Sequence, residues 1–256
     1  MAPSALRPLS IGEILDGAFT LYRRHFTAFM VPGLLIFGSL AVIGLIFGQA
    51  FSTLADLLTY WIYLGALIWM SSEVVQGREP EVGASMWKGV RKAFPIFTVF
   101  MFTKIAMFIG FVFLIVPGII LWLMWFAWAP IVVIEDRWDF FARSRSLARD
   151  AWGKIAVTQI VYGLIAAAPG LALVASSWIA DPGQFENPPP DLASSFEQPL
   201  WVFLSGLLAR LLTEPFAALA WVLLYFDMRV RKDGLDVAQA MEAAEDDEAW
   251  GASAGS

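Results

Sequence analysis

Two opposite charges lie four residues apart in the middle of a long apolar segment near the C-terminus. The stretch 209–216 reads ARLLTEPF and contains Arg210, Glu214 and Pro215. Side chains four residues apart share one face of a helix, so Arg210 and Glu214 can form an ion pair. Proline frees the backbone carbonyl one turn earlier and kinks the helix. Charges in an apolar environment need partners or water, so this stretch is the first candidate for chemistry.

Two further charges interrupt apolar segments elsewhere, at Asp56 and Lys104. If these segments cross a membrane, Lys104 and Glu214 differ in depth by only about 5 Å at 1.5 Å per residue. Asp56 lies near the outer start of its segment, where it could meet Arg210. We therefore predict an intramembrane polar cluster of two cations and two carboxylates, formed by Lys104, Arg210, Glu214 and Asp56.

Simpler interpretations of these four residues stay open. Lys104 could extend its amine to the interface, Asp56 could cap a helix start after Ser52 and Thr53, and Arg210 and Glu214 could only lock the bundle. We expect the last two residues to face the bundle interior, because a kinked helix is tolerated in a membrane where protein or water satisfies the freed backbone groups. From the pair alone, Glu214→Ala should harm expression more than the double change with Arg210→Ala, since one orphan charge is worse than none.

The composition indicates an integral membrane protein. Of the 256 residues 59% are hydrophobic and 16% charged, with a mean hydropathy of +0.66, whereas soluble domains are about 25% charged. The absence of cysteine excludes disulfides and thiol chemistry, and a single histidine, His25, excludes a histidine-rich metal site. The net charge of −6 belongs mainly to the tail, because seven acidic residues fall between 233 and 248.

Six apolar segments are long enough to cross a bilayer, which takes about 20 residues. The stretch 96–134 is too long for one span, and Pro117-Gly118 near its midpoint is a natural turn. The predicted spans are 26–49, 54–75, two within 96–134, 155–178 and 200–226. The predicted fold class is therefore all-α, a polytopic membrane protein with six transmembrane helices and cytoplasmic amphipathic helices.

The basic residues give an independent prediction of orientation. Of the 17 lysines and arginines, 15 fall on one side of the six-span arrangement, whereas the long loop 179–199 on the other side is acidic. Basic residues favour the cytoplasmic side, so we expect both termini in the cytoplasm of a bacterium and the spans in its inner membrane. The domains are then an N-terminal amphipathic helix (1–25), a membrane domain (26–232) and an acidic, mostly disordered tail (233–256).

Three amphipathic segments precede alternate spans. Ser10 and Glu13 fit a capping box, and apolar residues recur at helical spacing from Ile11 to Tyr22. We expect this helix to lie along the membrane interface. The segments 83–94 and 139–152 are similar. The chain could thus consist of three repeats of surface helix plus hairpin, although basic linkers in any six-span protein look amphipathic.

Four stretches resemble a bacterial family that shares the membrane domain of some glycerophosphodiester phosphodiesterases. They are RPLSIGEILDGAFTLYRRHF, VPGIILWLMWFAWAPIVVIED, FFARSRSLARDAWGK and LLYFDMRVRKDGLD. The resemblance implies a six-span helical domain without phosphodiesterase activity, because hydrolysis in those enzymes belongs to a separate soluble barrel with a metal cluster and catalytic histidines. We carry over no catalytic residue.

No catalytic motif appears in the sequence, which lacks a phosphate-binding glycine loop, HExxH and GxSxG. We therefore expect a protein that is not an enzyme and needs no cofactor or metal. Its predicted role is an accessory, scaffold or lipid-interacting domain that contacts anionic headgroups rather than nucleic acid. The alternative is a small-molecule or ion transporter or channel that uses the polar centre of the sixth span. The sequence points to no particular protein partner.

Overall fold

The computed structural model describes residues 9–149, 151–180 and 200–254, and every regular element in these ranges is helical. The elements in chain order are α1 (Ile11–Arg24), α2 (Phe26–Phe47), α3 (Gln49–Val75), α4 (Val82–Phe113), α5 (Ile115–Met124), α6 (Trp128–Pro130), a π-helix (Ile131–Glu135), α7 (Phe140–Ala148), α8 (Trp152–Ala180) and α9 (Leu200–Ala254).

Five helical segments are long and apolar enough to cross a membrane. They are Phe26–Phe47, Ala50–Val75, Val82–Phe113, Ile115–Glu135 and Trp201–Gly234. The chain is thus an all-α polytopic membrane protein, as the composition predicts. The remaining predicted span, 155–178, falls within α8, where several side chains lie outside the described residues. The count of six spans therefore stays a prediction.

Helix α1 begins with the capping box that the sequence predicts, but it packs differently from expectation. Ser10 accepts a hydrogen bond from the Glu13 amide, and the Glu13 carboxylate accepts one from the Ser10 amide. The helix does not lie apart along the interface. It packs lengthwise against α9, because its apolar face, carried by Ile14 and Ala18, is fully buried there.

Three contacts fix this packing as antiparallel. The Leu9 amide donates to Asp227, Gly17 lies against Leu223, and the Tyr22 hydroxyl donates to the Leu212 carbonyl at 3.0 Å. Burial raises the pKa of Tyr22 to about 12, so the phenol keeps its proton as a donor. The Leu212 carbonyl is next to that of Leu211, which loses its helical partner because Pro215 has no amide hydrogen.

The second amphipathic segment continues directly into the third span as one helix, α4, with Pro95 inside it. A glycine contact sets how closely α4 approaches α3. A Cβ atom added to Gly89 would lie 2.3 Å from the Ile62 carbonyl oxygen, and one added to Gly65 would lie 3.0 Å from the Gly89 Cα atom. The helix backbones therefore touch at this crossing, which larger residues would force apart.

The hairpin between α4 and α5 turns at Leu114 and not at Pro117-Gly118, where the sequence predicted it. Leu114 has extended backbone angles, and Pro117 lies in the first turn of α5, where a missing amide hydrogen costs no helical hydrogen bond. Gly118 allows the hairpin to close, because a Cβ atom there would lie 2.5 Å from the Phe111 ring.

The segment after α5 is broken, since α5 ends at Met124 and only the short α6 and the π-helix follow before Asp136. Side chains from other helices satisfy its backbone. Ser144 of α7 accepts from the Ala127 amide at 3.2 Å and donates to the Met124 carbonyl at 2.8 Å. The Trp221 indole donates to the Phe126 carbonyl at 2.6 Å. Broken backbone is tolerated at membrane depth where protein supplies such partners.

Helix α9 extends well beyond the predicted last span, through Ala254. From the sequence we expected the tail 233–256 to be mostly disordered. The difference has a local reason, since residues 238–249 are mostly alanine, glutamate and other residues compatible with a helix and contain no glycine or proline. The division of the chain into three domains stays a prediction.

The surface of the bundle changes along its length. Exposed large apolar side chains concentrate in stretches 31–58, 97–119, 157–171 and 201–212. The buried core concentrates in stretches 14–22, 63–75, 126–133 and 218–228. We call the first part the apolar half and the second the core half. Apolar side chains favour contact with lipid tails, so the apolar half is the part suited to the hydrocarbon layer.

The proposed threefold repetition remains a hypothesis. The helix boundaries differ among the three units, because α1 and α2 are separated at His25, α4 is continuous, and α7 and α8 are separated near Ala151.

Candidate functional site

Three of the four predicted cluster residues meet in the structure. Arg210 bonds through Nε to Glu214 Oε1 at 2.8 Å and through a terminal nitrogen to Asp56 Oδ2, also at 2.8 Å. Helix α9 supplies Arg210 and Glu214 one turn apart, and α3 supplies Asp56. The guanidinium also lies over the Phe37 ring, 4.7 Å from its centroid. We call Asp56, Arg210 and Glu214 the ion triad.

The triad has one cation for two carboxylates and is only partly enclosed. The exposed fractions are 25% for the Arg210 side chain, 30% for Asp56 and 21% for Glu214. The second oxygen of Asp56, Oδ1, is buried without a hydrogen-bond partner among the described residues. The triad can therefore hold α3 and α9 together, and that oxygen could also accept a hydrogen bond from a proton carrier or contact a small cation.

Asp56 does not cap a helix, contrary to one of the interpretations that the sequence left open. Helix α3 begins at Gln49, which places Asp56 in its second turn, beyond the first amides that a cap would satisfy. Its hydrogen bond to Arg210 is therefore the contact that explains its position.

Lys104 does not join the triad and lies at a separate cavity. Its amine is 5.4 Å from the centroid of the Phe100 ring, and no ion pair links it to a carboxylate in the described part of the chain. The side chain is exposed at the edge of the cavity. The prediction of one four-residue cluster is thus wrong for Lys104, because its helix, α4, places it beside α5, α8 and α9 instead.

This cavity has a volume of about 140 Å³ and mainly aromatic walls. Helix α5 and the broken segment contribute Trp122, Trp125 and Trp128, the tryptophans that the sequence places three residues apart. Helices α8 and α9 add Gln159 and Trp221. We call it the tryptophan cavity. It lies against the broken segment, which forms one of its walls.

A second charged cluster, at Asp227, was missed by the sequence analysis. The Asp227 side chain is fully buried, accepts a hydrogen bond from the Leu9 amide at 2.6 Å, and pairs with Lys154 and Arg231. Lys154 and Arg231 also donate to the Leu9 carbonyl. One carboxylate thus joins three parts of the chain: the segment before α1, the first turn of α8, and helix α9. The four-residue spacing of Asp227 and Arg231 was the available signal.

A third cluster surrounds Glu135 at the end of the π-helix. The carboxylate accepts hydrogen bonds from the Tyr225 hydroxyl at 2.6 Å and from Arg143 at 3.2 Å. Arg143 reaches Asp233 at 3.3 Å, and Asp233 also pairs with Arg229. This chain of contacts fixes α7 and the π-helix against α9.

Exposed bases surround these two clusters, at what we call the basic end of the bundle. Lys92 pairs with Asp136, and this hydrogen bond lowers the pKa of the Asp136 carboxyl. In contrast, Arg91, Arg145 and Arg149 are exposed and have no acidic partner among the side chains that the structure describes. Exposed aromatic side chains accompany them, including Trp87, Phe94, Trp138 and Trp152.

The described residues contain no group of three histidine, cysteine, aspartate or glutamate side chains that could hold a metal ion. His25 instead lies 3.5 Å from the exposed carboxylate of Glu79.

Comparison of the chain with protein-family models, with curated proteins and with solved structures finds no match.

Proposed function

We propose that this chain is a non-enzymatic accessory or scaffold protein of the bacterial inner membrane, which contacts anionic lipid headgroups at its basic end. Its resemblance to the membrane domain of some glycerophosphodiester phosphodiesterases is part of this proposal, and so are six spans with both termini in the cytoplasm. The observation that carries it is the contrast between paired internal charges and exposed arginines that have no acidic partner among the described side chains.

The internal charges support a structural role. Arg210 is held by two carboxylates, Asp227 by two cations and a backbone amide, and Glu135 by Arg143 and a phenol. Each cluster joins helices that are distant in sequence. Groups held in this way keep a bundle in one arrangement, and they have few free donors or acceptors for a substrate.

The exposed arginines support lipid contact. Arg91, Arg145 and Arg149 share the basic end with exposed tryptophans. Tryptophan favours the headgroup level of a bilayer, and each nearby base contributes about 1 kcal/mol of attraction to an anionic leaflet. Arginine also binds phosphate with two parallel hydrogen bonds. These residues therefore suit phosphate-bearing headgroups.

The experiment is to reconstitute the protein with equal amounts of phosphatidylglycerol and phosphatidylcholine and to measure the lipids retained on purification. The wild type should enrich phosphatidylglycerol, and the variant Arg91→Gln/Arg145→Gln/Arg149→Gln should lose at least about half of that enrichment. The control is Arg78→Gln/Arg137→Gln, since both arginines are exposed but paired with Glu73 and Asp139. Equal enrichment in the two variants would contradict the proposal.

Transport is the second candidate function, and one observation favours it. Asp56 Oδ1 is buried without a partner in the described residues, beside a triad that carries one excess negative charge. A proton or small cation could bind there. If the protein transports protons, proteoliposomes should dissipate an imposed pH gradient faster than empty vesicles, and Asp56→Asn should abolish the difference. Absence of flux in the wild type would leave the scaffold role as the proposal.

A further inference from the structure

The tryptophan cavity contains two nitrogen donors with no carboxylate partner among the described residues. Lys104 extends from α4 at its edge, and Gln159 extends from α8 in its wall. Gln159 is 6% exposed, and its Nε2 atom is buried with no hydrogen-bond partner among the described residues. A buried amide nitrogen without a hydrogen-bond partner destabilises the folded state, because it has lost its hydrogen bonds to water. A ligand with acceptor oxygens would recover this loss.

The positive charge of Lys104 at this site also favours an anionic ligand. An ammonium group within the apolar half is costly unless it finds a counter-charge or water. The ring of Phe100, 5.4 Å away, provides only a cation–π contact. The ion triad does not supply the counter-charge, because neither of its carboxylates forms an ion pair with Lys104 in the described structure. Lys104 is thus a cation without a carboxylate in the described structure.

The aromatic walls of the cavity suit the carbon atoms next to the charged group of such a ligand. The Tyr162 and Trp221 rings are stacked with centroids 6.2 Å apart, and the Trp128 ring meets Trp221 edge-on at 5.7 Å. A volume of about 140 Å³ corresponds to on the order of ten water-sized positions. That space takes a carboxylate or phosphate group with a few carbon atoms, but not a whole lipid.

The surface outside the cavity could receive the rest of such a molecule. On α4, Met101, Ile105 and Phe108 follow one another at intervals of four and three residues beside Lys104, with exposed fractions of 36%, 58% and 68%. They form an apolar strip that begins at the amine. An acyl chain attached to a head in the cavity could lie along this strip while remaining in the hydrocarbon layer.

We propose that the tryptophan cavity binds the anionic head of a single amphiphile, with Lys104 contacting its charge and Gln159 donating a hydrogen bond to it. The head is a carboxylate or a phosphate, and the acyl chain lies on the strip Met101, Ile105 and Phe108. This site differs from the proposed headgroup contact at the basic end, uses none of its arginines, and does not depend on it.

The test uses the full chain in nanodiscs of phosphatidylcholine and three probes with brominated acyl chains: a fatty acid, a phosphatidic acid and a fatty alcohol. Bromine quenches the fluorescence of nearby tryptophans, which form the cavity walls. The fatty acid, the phosphatidic acid or both should give saturable quenching, and the alcohol should bind at least about tenfold more weakly, which corresponds to ~1.4 kcal/mol. If only one of the two acids binds, the result shows whether the head is a carboxylate or a phosphate.

Variants separate this site from general partitioning into the bilayer. Lys104→Gln should weaken binding of the acid by about tenfold, and Lys104→Arg should retain it. Lys88→Gln is the matched control, because Lys88 is also on α4 and lies over an aromatic ring, that of Trp69, 4.4 Å from its centroid. Lys88 does not line the cavity.

Equal quenching by the acids and the alcohol would overturn the proposal and would mean that Lys104 only extends its amine toward the interface. Unchanged binding in a folded Lys104→Gln variant would also overturn it. If that variant does not fold, the comparison of probes on the wild type still decides. Loss of phosphatidylglycerol enrichment in the arginine variant, with cavity binding intact, would separate the two proposals.

Discussion

At the scale of single residues, Arg210 is the centre of the ion triad, since both carboxylates depend on it. The sequence predicted the pairing with Glu214 from their spacing within one helix. The contact between Asp56 and Arg210 joins residues 154 positions apart. The sequence predicted it only from the estimated depths of the two residues in their spans. Those same estimates included Lys104 wrongly, because depth does not specify which side of a helix a residue occupies.

The third member of the triad reverses the expected order of two variants. After Glu214→Ala, Arg210 still has Asp56, and one cation faces one carboxylate. After Glu214→Ala/Arg210→Ala, Asp56 is left alone, so the double variant should now be the less stable of the two. Arg210→Ala leaves both carboxylates without a cation and should be the least stable variant. Its free energy of unfolding should fall by about 3 kcal/mol, at the lower end of the range for buried pairs, because the groups are partly exposed.

The measurement is the midpoint of thermal unfolding in one detergent for the three variants and the wild type. Asp139→Asn is a suitable control, because Asp139 belongs to an exposed pair with Arg137, and such pairs contribute about 0–1 kcal/mol. A double variant more stable than Glu214→Ala would show that Arg210 and Glu214 act as an isolated pair.

At the scale of elements, the ends of helices were harder to predict than their existence. The apolar runs located α2, α3, α4 and α9, since length and hydropathy are properties of the local sequence. The break after Met124 depends on Ser144 and Trp221, whose hydrogen bonds to the backbone come from residues 17 to 95 positions away. No pattern within the segment itself indicates these partners.

Ser144 should therefore contribute more to the stability of the broken segment than its small side chain suggests. Ser144→Ala removes the partner of the Ala127 amide and of the Met124 carbonyl, and an unpaired buried backbone group costs about 1–3 kcal/mol. We expect a lower unfolding midpoint and faster backbone hydrogen exchange from Met124 to Trp128. Ser146→Ala is the control, because the hydrogen bond that Ser146 makes in the described structure lies within its own helix, to the Arg143 carbonyl. Equal effects of the two changes would contradict this role of Ser144.

At the scale of the whole molecule, the division into an apolar half and a core half goes beyond what the sequence predicted. Hydropathy identified segments that could cross a membrane, but the amphipathic segments were expected on its surface. Instead, α1 packs lengthwise against α9, and the first part of α4 crosses α3 at close range at Gly89. Their apolar faces are complementary to α9 and α3, and this complementarity requires the folded arrangement.

The proposed orientation can be measured directly, because the chain has no cysteine and any introduced cysteine is unique. Phe113 is 79% exposed next to the turn between α4 and α5, and Trp138 is 63% exposed at the basic end. A membrane-impermeant maleimide should label Phe113→Cys in intact spheroplasts and Trp138→Cys only after the membrane is broken. The opposite pattern would contradict cytoplasmic termini.

The anchor at Asp227 also has a consequence for synthesis at the ribosome. The Leu9 amide and its acceptor are 218 positions apart. At about 5–20 residues per second, roughly 10–40 seconds of translation separate them. During that interval the apolar face of α1 has no final partner, so it must be shielded by the translocation machinery, by lipid or by a chaperone. A nascent chain stalled before α9 should therefore bind such factors through its first helix.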